Sequence, residues 1–145
     1  MNKEKRIWIA LFLALTLMLI LSGCGGLPKI AKINVSFVPN PVPYNSATEK
    51  WLFDVILTES NGVGVTLISL RLNAYDQQEQ LLATTIWYEE DITELFESNY
   101  IPAFSSLSGW VYYIWPHKYV ILTIAGVDDN NNPIEATGRV DFLPK

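Results

Sequence analysis

Along most of the chain, apolar and polar residues alternate with the period of two that a half-buried strand requires. Ile33, Val35 and Phe37 share one face. Pro39, Pro41 and Pro43 then end that strand or leave it at an edge, because proline has no N–H to donate. From Trp51 to Glu59, Trp51, Phe53, Val55 and Leu57 oppose Asp54 and Thr58. Asn61-Gly62-Val63-Gly64 is a turn signal, with glycines free to take positive φ. The segment Val65 to Tyr75 places Ile68, Leu70, Leu72 and Ala74 inward against Ser69, Arg71 and Asn73. Asp76 to Gln80 is a polar turn, and Leu81 to Tyr88 is another strand. Asp91, with Glu94 three residues on, has the spacing of a capping box and predicts one short helix near residues 90–97. Gly109 to Trp115 and Tyr119 to Val127 are strands separated by Pro116-His117-Lys118. Asp128 to Asn132 is a hairpin turn. In the last strand, Ile134, Ala136, Val140 and Phe142 point inward and Glu135, Thr137, Arg139 and Asp141 outward.

About seven short strands, with no internal repeat and no long helix, predict an all-β fold: a single two-sheet sandwich over residues 33–145. The closing pair, Tyr119 to Asp128 and Pro133 to Phe142, resembles the last hairpin of immunoglobulin-like and fibronectin-type-III-like modules. That resemblance implies an immunoglobulin-like β-sandwich. The cysteine pair of antibody domains is missing, so apolar packing has to hold the sheets together. At about 25 cal/mol per Å² of buried apolar surface, the aromatic and aliphatic strand residues can supply such a core.

The N-terminus follows a different pattern. Lys3, Lys5 and Arg6 precede Ile7 to Leu21, a run of 15 residues in which only Thr16 is polar. A bilayer-crossing helix needs about 20 apolar residues, whereas a basic head followed by a shorter run fits a secretory signal peptide. The run ends in Leu21-Ser22-Gly23-Cys24, which resembles the lipobox of bacterial lipoproteins. The resemblance implies cleavage between Gly23 and Cys24 and a diacylglyceryl thioether on Cys24. Residues 1–23 are then a signal peptide and residues 24–32 a lipidated tether. Two acyl chains, at about 0.8 kcal/mol per buried methylene, give stable attachment. Gly25 is not the aspartate that retains many diderm lipoproteins at the inner membrane, so the family rule points to the outer membrane. In a bacterium with one membrane, the module would stand on the cell surface.

Composition narrows the function further. Removing residues 1–23 takes away three of the 10 basic and one of the 15 acidic side chains, and the net charge moves from −5 to −7. Such a chain does not suit the phosphate backbone of a nucleic acid, which requires basic residues. An acidic body is also repelled by anionic headgroups, which leaves the lipid on Cys24 as the membrane link. The single cysteine excludes an internal disulfide.

Three groups of residues carry candidate chemistry. Trp110-Val111-Tyr112-Tyr113-Ile114-Trp115 is bulky on both faces. If Trp110, Tyr112 and Ile114 fill the core, Val111, Tyr113 and Trp115 lie outside, or pack beneath the Glu89 to Phe104 segment. Packing is the favoured reading. The alternative is an aromatic platform of Trp110, Tyr113 and Trp115 for a glycan or an envelope protein. Asp128, Asp129 and Asn130 crowd oxygen ligands as a cation site would. An EF-hand loop beginning there requires glycine and glutamate where Pro133 and Arg139 stand, so hairpin-turn chemistry is preferred and no metal site is assigned. His117, the only histidine, reads as a solvent-facing turn residue.

No phosphate loop, dinucleotide fingerprint or Gly-x-Ser-x-Gly elbow is present, and no cofactor is implied. The expectation is therefore a non-catalytic binding or structural module, anchored on the extracytoplasmic side of a membrane. The rival is a small envelope hydrolase using His117 or a carboxylate pair in the acidic Glu89–Glu97 run.

Overall fold

The computed structural model describes residues 28–114 and 117–145. Seven long strands, two two-residue strands and one helix form an immunoglobulin-like β-sandwich. In chain order they are β1 (Ile33–Val38), β2 (Tyr44–Asn45), β3 (Lys50–Glu59), β4 (Val65–Tyr75), β5 (Leu81–Tyr88), α1 (Glu89–Phe96), β6 (Tyr100–Ile101), β7 (Ser106–Tyr113), β8 (Tyr119–Asp128) and β9 (Pro133–Asp141).

In the first sheet β3 is central, antiparallel to β1 and β2 along one side and to β7 along the other. The second sheet runs β5–β4–β8–β9, with β6 extending the β5 side of β4. Trp51, Phe53, Val55, Leu57 and Val111 of the first sheet meet Leu70, Leu72, Leu122, Ile124 and Val140 of the second across the core. The two sheets close on one flank, where Gly138 of β9 faces Val35 of β1. A Cβ at Gly138 would lie 2.6 Å from a Val35 methyl, so only glycine allows this approach. On the other flank β7 and β5 diverge. Helix α1 fills part of that gap with Ile92 and Phe96, which are buried, while Leu95 packs against Gly109.

The strand alternation of the sequence recurs in β1, β3, β8 and β9. Three expectations need correction. Ile68, expected inward, is exposed. It is the extra residue of a bulge: Leu67 pairs with Gly126 and Ser69 with the next residue back, Ala125. The bulge shifts the pleat by one, so that Val65 and Leu67 before it and Leu70, Leu72 and Ala74 after it all reach the core.

Strand β7 also has the opposite phase to the arrangement in which Trp110, Tyr112 and Ile114 would fill the core. Val111 is buried and Tyr113 largely so, whereas Trp110, Tyr112 and Ile114 face solvent. Register fixes this, because Val111 pairs with inward Phe53 and Trp110 with outward Asp54. Finally, Asp91 occupies the third helical position rather than the cap. Its carboxylate accepts the Tyr88 N–H at 3.1 Å.

Candidate functional site

The open flank between β5, α1 and β7 forms a groove of about 530 Å³, within the range of ligand clefts. Trp87, Leu95, Trp110, Val111 and Tyr112 line it, together with the carboxylates of Asp91 and Glu94. Helical spacing puts Asp91 and Glu94 on one face of α1, since residues three apart are neighbours. Trp110 and Tyr112 project from the outer face of β7, with ring centroids 6.0 Å apart and planes inclined by 27°. They are 65% and 47% exposed. Lys50 places its Nζ 4.0 Å over the Tyr112 ring.

Trp110 also borders an adjoining hollow at the C-terminal end of α1, which Asp54, Glu94 and Glu97 line. An exposed indole thus stands among four carboxylates. Its face offers stacking and cation–π attraction, and the oxygens accept hydrogen bonds or balance positive charge.

Of the aromatic trio named from the sequence, Trp110 belongs to this surface, and Trp115 lies outside the described residues. Tyr113 belongs to the core. It stacks on Phe53 at 6.2 Å and meets Phe142 and His117 edge-on at 5.7 and 5.1 Å. Burial pushes its phenol pKa up to about 12. Tyr112 and Trp87 were missed because local alternation assigned the first to the interior and gave the second no partner.

His117 is buried rather than solvent-facing, packed against Tyr113 and Phe142. Burial holds its pKa below the ordinary 6.5, and its Nδ1 makes no hydrogen bond among the described residues. The acidic run Glu89–Glu97 lies on and just after α1, along the outer flank of β7 from Gly109 to Tyr112, while His117 packs inside against Tyr113 and Phe142. The structure does not bring the two together.

Two carboxylates organise the pole where the N-terminal segment enters the body. Glu59 is 1% exposed. It accepts the N–H groups of Asn61, Gly62, Phe104 and Lys32 at 2.7, 2.8, 3.0 and 3.2 Å. Burial by itself would raise its pKa, but these donors together overcome that and hold it at about 2. Its signal was visible in the sequence, since it continues the inward parity of Trp51, Phe53, Val55 and Leu57.

Asp128 serves the hairpin in the same manner, taking the N–H groups of Asn130, Asn132 and Ala31 at 2.9, 2.8 and 3.1 Å. Burial opposes its ionisation too, and the donors again win, lowering its pKa. Its oxygens are therefore engaged by N–H donors. Asp129 accepts the Tyr100 hydroxyl at 3.0 Å, and Asn130 donates to the Lys29 carbonyl at 2.8 Å. Among the described residues no three His, Cys, Asp or Glu side chains gather as a metal site would require. Gly23 and Cys24 lie outside the described residues.

No protein-family model and no curated protein matches the chain. It is similar in fold to several solved structures. A Bordetella pertussis protein described as ApaA superposes with a TM-score of 0.54 at 14% identity, covering 82% of this chain and 100% of that one. A structural-genomics target solved by X-ray diffraction gives a TM-score of 0.50 at 15% identity, covering 81% and 90%. A CARDB domain from Pyrococcus furiosus, crystallised with di-metal ions, gives 0.45 at 14% identity, covering 82% and 95%. At these identities the likeness is one of fold.

Proposed function

We propose that this chain is a lipid-anchored cell-envelope protein whose sandwich is a non-catalytic binding module, and that its flank groove grips a protein or glycan partner. The observation that carries the reading is Trp110: an indole, 65% exposed, on a rigid strand and stacked on Tyr112. Large aromatic surface is costly to leave in water, and such rings recur as the anchors of interfaces. The surrounding carboxylates of Asp54, Asp91, Glu94 and Glu97 favour a partner that presents hydrogen-bond donors or positive charge against a flat apolar face. That describes sugar hydroxyls over a ring, or a basic side chain of a protein. Anchorage is supported by the basic head, the apolar run and Leu21-Ser22-Gly23-Cys24.

Two measurements test the proposal. Mass spectrometry of the mature protein should find a diacylglyceryl-modified Cys24, and Cys24→Ala should abolish fatty-acid labelling. Capture from envelope extract and on a glycan array should show retention without turnover. Trp110→Ala should weaken that retention by about thirtyfold, the loss expected of an interface anchor. Its stability should stay within about 0.5 kcal/mol of the parent, because the ring is exposed. Undiminished binding by Trp110→Ala and Tyr112→Ala alike would remove the groove from consideration.

A further inference from the structure

The pole held together by Glu59 and Asp128 carries apolar side chains outward. Phe104 is 71% exposed and Ile30 is 53% exposed. Phe104 also has φ 55°, a left-handed conformation that a residue with a Cβ adopts only when its surroundings impose it. Two hydrogen bonds impose it. The Phe104 N–H donates to the Glu59 carboxylate at 3.0 Å, and the Ser105 N–H donates to the Pro102 carbonyl at 3.1 Å. The ring lies across the neighbouring turn, where a Cβ at Gly62 would come 2.5 Å from it. The same carboxylate takes the Lys32 N–H, and Asp128 takes the Ala31 N–H. The exposed ring and the entry point of the N-terminal segment are therefore parts of one rigid framework.

We infer that this pole is a membrane-contact surface, with Phe104 and Ile30 entering the boundary between headgroups and acyl chains of the bilayer that holds Cys24. The inference rests on the lipid-anchor reading above. Chain length argues for it. Cys24 precedes Ala31, whose backbone is fixed on Asp128, by seven residues. A trans chain spans at most about 3.3–3.6 Å per residue, so the anchored residue lies within about 25 Å of the pole. A path that doubles back brings the pole to the headgroups, and even full extension keeps it within about 25 Å of them.

Charge is compatible with this contact. Glu59 and Asp128 are buried, and the charge of the exposed Asp129 carboxylate, which accepts the Tyr100 hydroxyl, is offset by Lys29 and Lys32 on the entering segment. An aromatic ring and an aliphatic side chain beside lysines are the composition of an interfacial anchor. The consequence is orientation. The acyl chains fix the distance and the pole fixes the tilt, leaving the Trp110 groove on the flank of an upright body.

Site-directed spin labelling of the full lipidated protein in phosphatidylethanolamine–phosphatidylglycerol vesicles tests this. With the Cys24 thiol occupied by its thioether, a single introduced cysteine is the one free thiol. Nitroxides are placed at Phe104→Cys, at Ile30→Cys and, as a control at the far end of β4, at Gln78→Cys. Collision with oxygen and with a water-soluble nickel complex reads depth. The expected result is a several-fold lower nickel accessibility, with raised oxygen accessibility, at both 104 and 30 relative to 78. Equal nickel accessibility at all three positions on acylated, vesicle-bound protein would overturn the membrane contact and leave the lipid anchor standing. A mature protein without acyl mass, in which the label also reacts at Cys24, would overturn both.

Discussion

Replacing Glu59 by glutamine keeps the size of the side chain while removing its charge and setting an NH2 group where an acceptor stood. In the native protein Oε1 accepts from Asn61 at 2.7 Å and Lys32 at 3.2 Å, and Oε2 from Gly62 at 2.8 Å and Phe104 at 3.0 Å. An amide offers one acceptor oxygen, so two of these donors lose their partner. Each buried donor left unpaired costs about 1–3 kcal/mol, which places the change near 2–6 kcal/mol. A second route starts from the carboxyl pKa, held at about 2 against an ordinary 4.5. At about 1.36 kcal/mol per tenfold that difference is about 3 kcal/mol, and about 2 kcal/mol after allowance for solvent screening. Both routes meet at 2–3 kcal/mol, roughly.

The sign follows from the direction of the shift. The folded pKa lies below the unfolded one, so the contribution is complete above about pH 4.5 and is lost as the pH falls through that value toward about 2. Urea unfolding, followed by near-ultraviolet circular dichroism, is the assay. Glu59→Gln should be less stable by about 2–3 kcal/mol near neutral pH, with the gap to the parent narrowing steadily on acidification. A variant within about 0.5 kcal/mol of the parent at neutral pH, or a gap unchanged by acid, would refute the account of this pole.

Other outcomes are expected elsewhere. Gly109→Ala would set a Cβ 2.6 Å from the Leu95 backbone carbonyl and push α1 off β7. A stability loss of about 1–3 kcal/mol, with altered fluorescence of the groove tryptophans, would register it. Trp51 is buried and its Nε1 donates to the Leu143 carbonyl at 2.9 Å. Trp51→Phe should therefore lower stability by about 1–3 kcal/mol in the same urea assay, through a lost hydrogen bond and a partial cavity. His117, kept below its ordinary 6.5 by burial, favours the neutral ring when folded. Stability is thus complete above about pH 6.5 and falls as acid protonates the unfolded chain first. Melting curves for His117→Phe should show a smaller loss between pH 7.5 and 5 than the parent. An equal loss would show that other groups govern that range.

The sequence by itself determined which segments are the seven long strands, because the period of two is a property of the pleat and needs no partner to be visible, whereas the two-residue β2 and β6 are too short to show it. It placed Trp51 through Leu57 and Ile134 through Phe142 on their correct faces, and it located α1 and the Asp128 hairpin. It also held the parity that puts Glu59 inside, although a buried acid is intelligible only once Asn61, Gly62, Phe104 and Lys32 supply its donors. Tertiary structure decided what local pattern leaves symmetric. Trp110 to Trp115 is apolar on both faces, and only the pairing of Val111 with Phe53 and of Trp110 with Asp54 sets its phase. Ile68 reads as a core residue until the bulge opposite Gly126 turns it outward. His117 looks polar and exposed until Tyr113 and Phe142 close over it. The groove itself exists because β5 and β7 belong to different sheets and α1 only partly spans the gap between them. Alternation within a strand is written by neighbours two residues away. The choice of the face that becomes interior is made by strands dozens of residues distant, and a one-dimensional pattern carries no record of them.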